Sequence, residues 1–182
     1  MAREPGLLVV TFDRDDGSDP VPWPVLEPWT RSRAVTVADV RADLSGGGLE
    51  VALCSDLVYL RVGAHLGLPP GPLVPGAGLV WALGRAGRAA LDRGLLGDGR
   101  IGGAEAVELG LAQRVLAGHE GLPLPEPHSV VALTAARDLA RAGAGGAGAL
   151  QLELATFRLL FATGEPQEGA RAFVEKRDPE FD

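Results

Sequence analysis

Ser45-Gly46-Gly47-Gly48-Leu49-Glu50-Val51-Ala52-Leu53-Cys54 is the stretch on which the reading of this chain turns. It follows a β-prone run, Ala34 to Val40, and passes from three glycines into an apolar segment, which reads as a strand, a glycine turn and a helix. Glycines let a backbone approach a ligand closely, and the first turn of a helix presents N–H groups that have no partner within the helix. Such a turn stabilises negative charge on an oxygen. Glu50 falls three residues after Gly47, inside the first turn, so its carboxylate is placed to exchange protons with whatever those N–H groups hold. The competing reading is a glycine-rich turn followed by a solvated glutamate that only favours the helix dipole.

Outward from this stretch the pattern is that of an α/β chain. Leu7 to Val10 is a short strand candidate, stopped by the acidic, Gly- and Pro-containing stretch Asp13 to Pro24, read as a loop. Leu57 to Leu60 and Ala64 to Leu66 follow as strands, and Gly67 to Gly78 reads as an ordered Pro/Gly-rich loop. Helical patterns cover Leu79 to Leu83, Arg88 to Leu96 and Ala104 to Leu109, and Gln113 to Leu116 closes the series as a strand. Gly118 to Pro127 has linker composition. Beyond it come helical patterns at Val130 to Ala142, Leu150 to Ala162 and Gln167 to Val174. The expected organisation is a core over residues 1–117 and a C-terminal helical region over 118–182. Gly143 to Gly148 lacks the Lys-Ser/Thr ending of a phosphate loop and reads as a helix connection.

The 182 residues are enough to bury a core without disulfides, and 46% hydrophobic against 23% charged residues is a globular balance. A net charge of −7 without a basic stripe argues against nucleic-acid binding. No run approaches the ~18 apolar residues of a membrane span, and nothing at Met1 to Gly6 resembles a signal peptide. The one cysteine, Cys54, sits among apolar neighbours and reads as a buried thiol, which points to the cytoplasm. His65, His119 and His128 have no metal-ligand spacing, the aspartates of Asp13 to Asp19 do not follow a calcium loop, and no metal is expected. Trp23, Trp29 and Trp81 read as core or interface anchors.

Gly97-Asp98-Gly99-Arg100-Ile101 through Ala104-Glu105-Ala106-Val107-Glu108-Leu109-Gly110-Leu111 to Arg114-Val115, together with Glu168-Gly169-Ala170-Arg171-Ala172-Phe173-Val174-Glu175-Lys176-Arg177-Asp178-Pro179-Glu180-Phe181, resembles the crotonase family of enoyl-CoA hydratases and isomerases. Gly46 to Asp56 is similar to that family's second oxyanion turn and the helix it opens, and Pro75-Gly76-Ala77-Gly78 to its Pro-Gly-x-Gly turn. All four occur in family order from about Val35 onward.

The resemblance implies a spiral of short β-turn-β units surrounded by helices, with a C-terminal helical oligomerisation region that builds homotrimers or hexamers. It implies that the Gly47 N–H binds a thioester oxygen and that Glu50 matches the first of two glutamates that move protons in hydratases. It implies Phe173 and Lys176 as contacts to coenzyme A bound by a neighbouring subunit, and Ser18 as the best positional match for the other oxyanion donor. No prosthetic group is implied; coenzyme A or phosphopantetheine enters as part of the thioester substrate.

Two departures weigh on the reaction. The family's second glutamate follows a Gly-x-Pro, whereas Gly67-Leu68-Pro69 is followed by Pro70, which has no ionisable group. Family members also carry a strand-helix-strand unit ahead of the segment that Leu7 to Phe12 matches, and its loss favours a carrier-protein thioester or a partner chain. The expected activity is enoyl-thioester hydration or dehydration with Glu50 as the one acid/base; the alternatives are an isomerase or decarboxylase of the same fold, or a non-catalytic helper subunit.

Overall fold

A computed structural model of the chain describes residues 7–14, 21–69, 78–96, 99–124, 130–142, 158–159 and 161–180. Two compact units divide it, Gly6–Pro123 and one built on Leu124–Asp182.

In the first unit the elements run β1 (Leu7–Phe12), α1 (Trp23–Thr30), β2 (Val35–Val40), α2 (Gly46–Leu53), β3 (Leu57–Arg61), β4 (His65–Leu68), α3 (Leu79–Ala86), α4 (Arg88–Leu96), β5 (Gly99–Gly102), α5 (Gly103–Glu108) and β6 (Arg114–Leu116). A four-stranded sheet has the order β1-β2-β3-β6, parallel throughout, with Leu7 opposite Val35, Val37 opposite Leu57 and Tyr59 opposite Arg114. Parallel strands covered on both faces read as continuous β-prone runs, and every residue of β2 is buried. Beside this sheet β4 and β5 pair antiparallel, and Leu44 bridges to Leu66 in parallel.

The same step therefore occurs twice. The chain leaves β2 and reaches the second sheet at Leu44; it leaves β3, turns through Val62-Gly63-Ala64 and reaches it again at β4. Gly63 makes that turn with φ +89°, a conformation that favours glycine. Because β2 lies beside β3 and Leu44 beside Leu66, successive β-turn-β units stack on each other, the spiral expected from the sequence. Leu44, Leu49, Leu60, Leu66, Leu83 and Ile101 fill the space between the sheets and helices, each almost completely buried.

Two local expectations fail. The stretch after Asp13 was expected to be loop as far as Pro24, but α1 begins at Trp23 and continues through Pro28 to Thr30. Pro24 falls at the start of the helix, where its missing N–H removes no helical bond, so the prolines that suggested a break are in part compatible with a helix. The strand expected to stop at Leu66 runs on to Leu68, and β5, which local patterning did not suggest, supplies its partner. Gly67 belongs to the strand: a Cβ there would lie 3.3 Å from Ser45 Cβ, so the small residue serves packing across the second sheet.

In the second unit α6 covers Val130–Ala142, Arg158, Leu159 and Phe161 are helical, and α7 covers Glu165–Glu175. Gly164, with φ +90°, precedes α7 and Pro166 occupies its first turn. Glu168 accepts hydrogen bonds from Arg177 Nη1 (2.6 Å) and the Glu180 N–H (3.1 Å), which fold the terminal residues back on the helix and hold its carboxyl down at about 2. Among the described residues no helix is long and apolar enough to cross a membrane.

Candidate functional site

The candidate site begins beyond the carboxyl end of β2, where open parallel sheets commonly bind ligands. Ser45, in extended conformation, precedes α2, and its side chain makes no capping hydrogen bond. Gly46 turns the chain with φ +53°. At Gly48 the demand is steric: a Cβ would come within 2.7 Å of Leu44 Cδ1, and Leu44 is itself fully buried. The first i→i−4 bond of α2 runs from Leu49 N to Ser45 O at 3.2 Å, so the N–H groups of Gly46, Gly47 and Gly48 have no acceptor within the helix. Gly47 is buried among them. A turn of this kind can stabilise negative charge on an oxygen, one well-placed donor being worth ~3 kcal/mol of transition-state charge stabilisation.

Glu50 occupies the same turn and is only 5% exposed. That overturns the reading of it as a solvated residue serving the helix dipole. Its Oε2 accepts a hydrogen bond from the Val21 backbone N–H at 2.7 Å. Burial raises the Glu50 pKa above the usual carboxylate range, and the Val21 N–H offsets part of that rise. A carboxyl tuned upward beside backbone donors that have no acceptor within their helix is suited to taking up and returning a proton.

Val21 is a neighbour of Glu50 that sequence reasoning missed. The helix that follows it is anchored: Leu26 is buried in the core, and Trp29 Nε1–H donates to Ser55 Oγ at 3.1 Å just beyond the end of α2. Ser55 in turn donates to Val51 O at 2.9 Å. Gly78, the last glycine of Pro75-Gly76-Ala77-Gly78, has φ +89°, and a Cβ there would lie 2.5 Å from Leu26 Cδ2 and 3.2 Å from Cys54 Sγ. That glycine thus fits α1 and the end of α2 into one packing. Cys54 is fully buried, as its neighbours suggested.

A second buried carboxylate lies at the end of β2. Asp39 is fully buried and receives Arg61 Nε at 2.8 Å, Arg61 Nη2 at 3.1 Å and Arg41 Nε at 2.8 Å. Burial pushes its pKa up, but the two guanidinium groups outweigh it and hold the carboxyl below its ordinary value. Arg61 Nη1 also donates to Ala117 O at 2.9 Å and Glu120 O at 2.5 Å, tying β3 to the segment after β6.

The structure brings Gly47 and Glu50 together on one helical turn. Ser18 and Pro70 lie outside the described residues. Phe173, 86% exposed, and Lys176, which ends α7 with φ +53°, belong to the second unit. His65 is half-buried and pairs through Nδ1 with Asp43 Oδ1 at 2.9 Å, while Arg100 contacts both residues. Trp29 packs against the core, whereas Trp81 is partly exposed with the Arg85 guanidinium 4.7 Å above its ring. Among the described residues no group of His, Cys, Asp and Glu is arranged to hold a metal ion.

A family model described as enoyl-CoA hydratase/isomerase matches residues 24–182. The 2,3-dehydroadipyl-CoA hydratase of Escherichia coli is 33% identical over 168 residues, covering 84% of this chain and 66% of that protein. A mitochondrial methylglutaconyl-CoA hydratase of Pyricularia oryzae is 31% identical over 177 residues, covering 80% of this chain and 50% of its own length. Among solved structures, enoyl-CoA hydratase subunit I from Geobacillus kaustophilus superposes with a TM-score of 0.71 at 27% identity, covering 88% of this chain and 67% of that one. The chain thus spans half to two thirds of the length of these curated relatives.

Proposed function

This chain belongs to the enoyl-CoA hydratase/isomerase family, and from that premise we propose that it hydrates or dehydrates an enoyl thioester with Glu50 as its one acid/base. The observation that carries the proposal is a buried carboxyl in the very turn whose backbone N–H groups have no acceptor within the helix. In the hydration direction the thioester oxygen accepts from the Gly47 N–H. The Glu50 carboxylate takes a proton from water as its oxygen attacks Cβ, and the electron pair moves to the carbonyl oxygen as an enolate. Glu50 then returns the proton to Cα, so that H and OH are added and the carboxylate is regenerated. One carboxyl suffices for the cycle, which accommodates Pro70 at the position of the family's second glutamate.

The thioester is carried by coenzyme A or by a carrier-protein phosphopantetheine, and no prosthetic group takes part. Phe173 and Lys176 are proposed to meet the substrate of a neighbouring subunit in a cytoplasmic homotrimer or hexamer; a monomer by light scattering at micromolar concentration would contradict that assembly. The reaction is tested with crotonyl thioesters on both carriers. Glu50→Gln is expected to lower kcat about 10²–10⁴-fold with a modest change in KM. An unchanged kcat would remove Glu50 from the mechanism and favour a helper subunit without chemistry.

A further inference from the structure

A carboxylate that carries a proton must present a defined oxygen to its substrate, and glutamate has enough rotatable bonds to lose that definition. The Glu50 carboxyl makes one hydrogen bond among the described residues, and its donor lies outside α2: Val21 N–H to Oε2, 2.7 Å. The donor is itself held. Pro22 O accepts from Val25 N (2.8 Å) and Leu26 N (3.3 Å) in the first turn of α1, and the far end of α1 is secured by Trp29 to Ser55. The segment that carries Val21 and α1 is therefore tied to Glu50 before the helix starts and to Ser55 at its end.

We propose that the Val21 backbone N–H is a positioning donor for the proton-carrying carboxylate: it occupies Oε2, fixes the rotamer, and leaves Oε1 as the oxygen that exchanges the proton. The inference rests on the proposed role of Glu50 and extends it to a residue that touches no substrate. Because the donor is a backbone group, the Val21 side chain contributes little to the effect, and a substitution that keeps the N–H preserves it. Removing the N–H withdraws a bond that favours the charged form, so the carboxyl gives up its proton only at higher pH.

The test compares Val21→Pro, which lacks the N–H, with Val21→Ala, which keeps it. The pH dependence of kcat/KM for crotonyl-CoA is followed from about pH 4 to 9 alongside the Glu50 carboxyl ¹³C resonance. In Val21→Pro both midpoints are expected to move up by about one pH unit, with kcat falling more than KM changes. Val21→Ala is expected to retain the wild-type midpoints. A folded Val21→Pro protein with wild-type midpoints overturns the proposal, as does a shifted resonance with an unshifted kcat/KM limb. Should Val21→Pro not fold, an amide-to-ester replacement at residue 21 removes the same N–H without the ring and carries the same expectation. Failure of the proposed reaction reads out separately, as turnover that survives Glu50→Gln.

Discussion

Asp39 and Glu50 are both buried carboxyl groups, one at the end of β2 and the other in the first turn of the helix that follows, yet their surroundings drive them in opposite directions. Among the described residues, Asp39 meets two guanidinium groups and the Glu50 carboxyl one backbone N–H. Desolvation acts on both. What differs is compensation: paired cations keep Asp39 ionised and make it part of the framework, while the single neutral donor leaves Glu50 free to change protonation state. Burial by itself does not single out a candidate acid/base; burial with incomplete compensation raises its pKa and makes it one.

Breaking the Asp39 side of this contrast gives the largest expected effect. Asp39→Asn leaves Arg61, a buried cation, without its carboxylate, and a loss of about 3–5 kcal/mol in urea unfolding is expected. Because the folded-state pKa of Asp39 lies below its unfolded value of 3.8, the ionised carboxylate stabilises the fold above that pH, and the contribution is lost as pH falls through the folded pKa. The gap between wild type and Asp39→Asn is therefore full at neutral pH and narrows in acid.

Glu50→Gln is expected to have a smaller effect on stability and the opposite dependence on pH. The folded-state pKa of Glu50 lies above its unfolded value of 4.5, so its stabilising contribution is present below that pH and lost as pH rises through the folded pKa. Relative to wild type, Glu50→Gln gains stability between acid and neutral pH while losing turnover. Thermal unfolding at several pH values checks both variants, and parallel slopes would erase the distinction between the two carboxyls.

The frame was legible in the sequence because its signals are local. The β-prone runs, the glycine turn before Leu49 and the helical pattern from Val130 to Ala142 depend on neighbours within a few residues. The helix α1 was hidden by Pro24 and Pro28, which suggest a break unless the helix start is already known. The placement of Glu50 in the first turn could be read from its spacing after Gly47, but its burial could not. Its partner is a backbone N–H on a segment 29 residues away, which no side-chain pattern announces. Asp39 left a fainter signal: a lone acid in Val35-Thr36-Val37-Ala38-Asp39-Val40, a strand buried along its length, requires a cation, and Arg61 ends the neighbouring strand.

In the proposed reaction Glu50 is the carboxyl that takes up and releases a proton while Asp39 remains ionised. Carboxyl ¹³C titration of the wild-type protein from about pH 4 to 8 reads both groups in one sample. The Glu50 resonance is expected to titrate with a midpoint above 4.5, while Asp39 has no midpoint within this range. A Glu50 midpoint at or below 4.5, or an Asp39 midpoint within this range, would contradict this assignment.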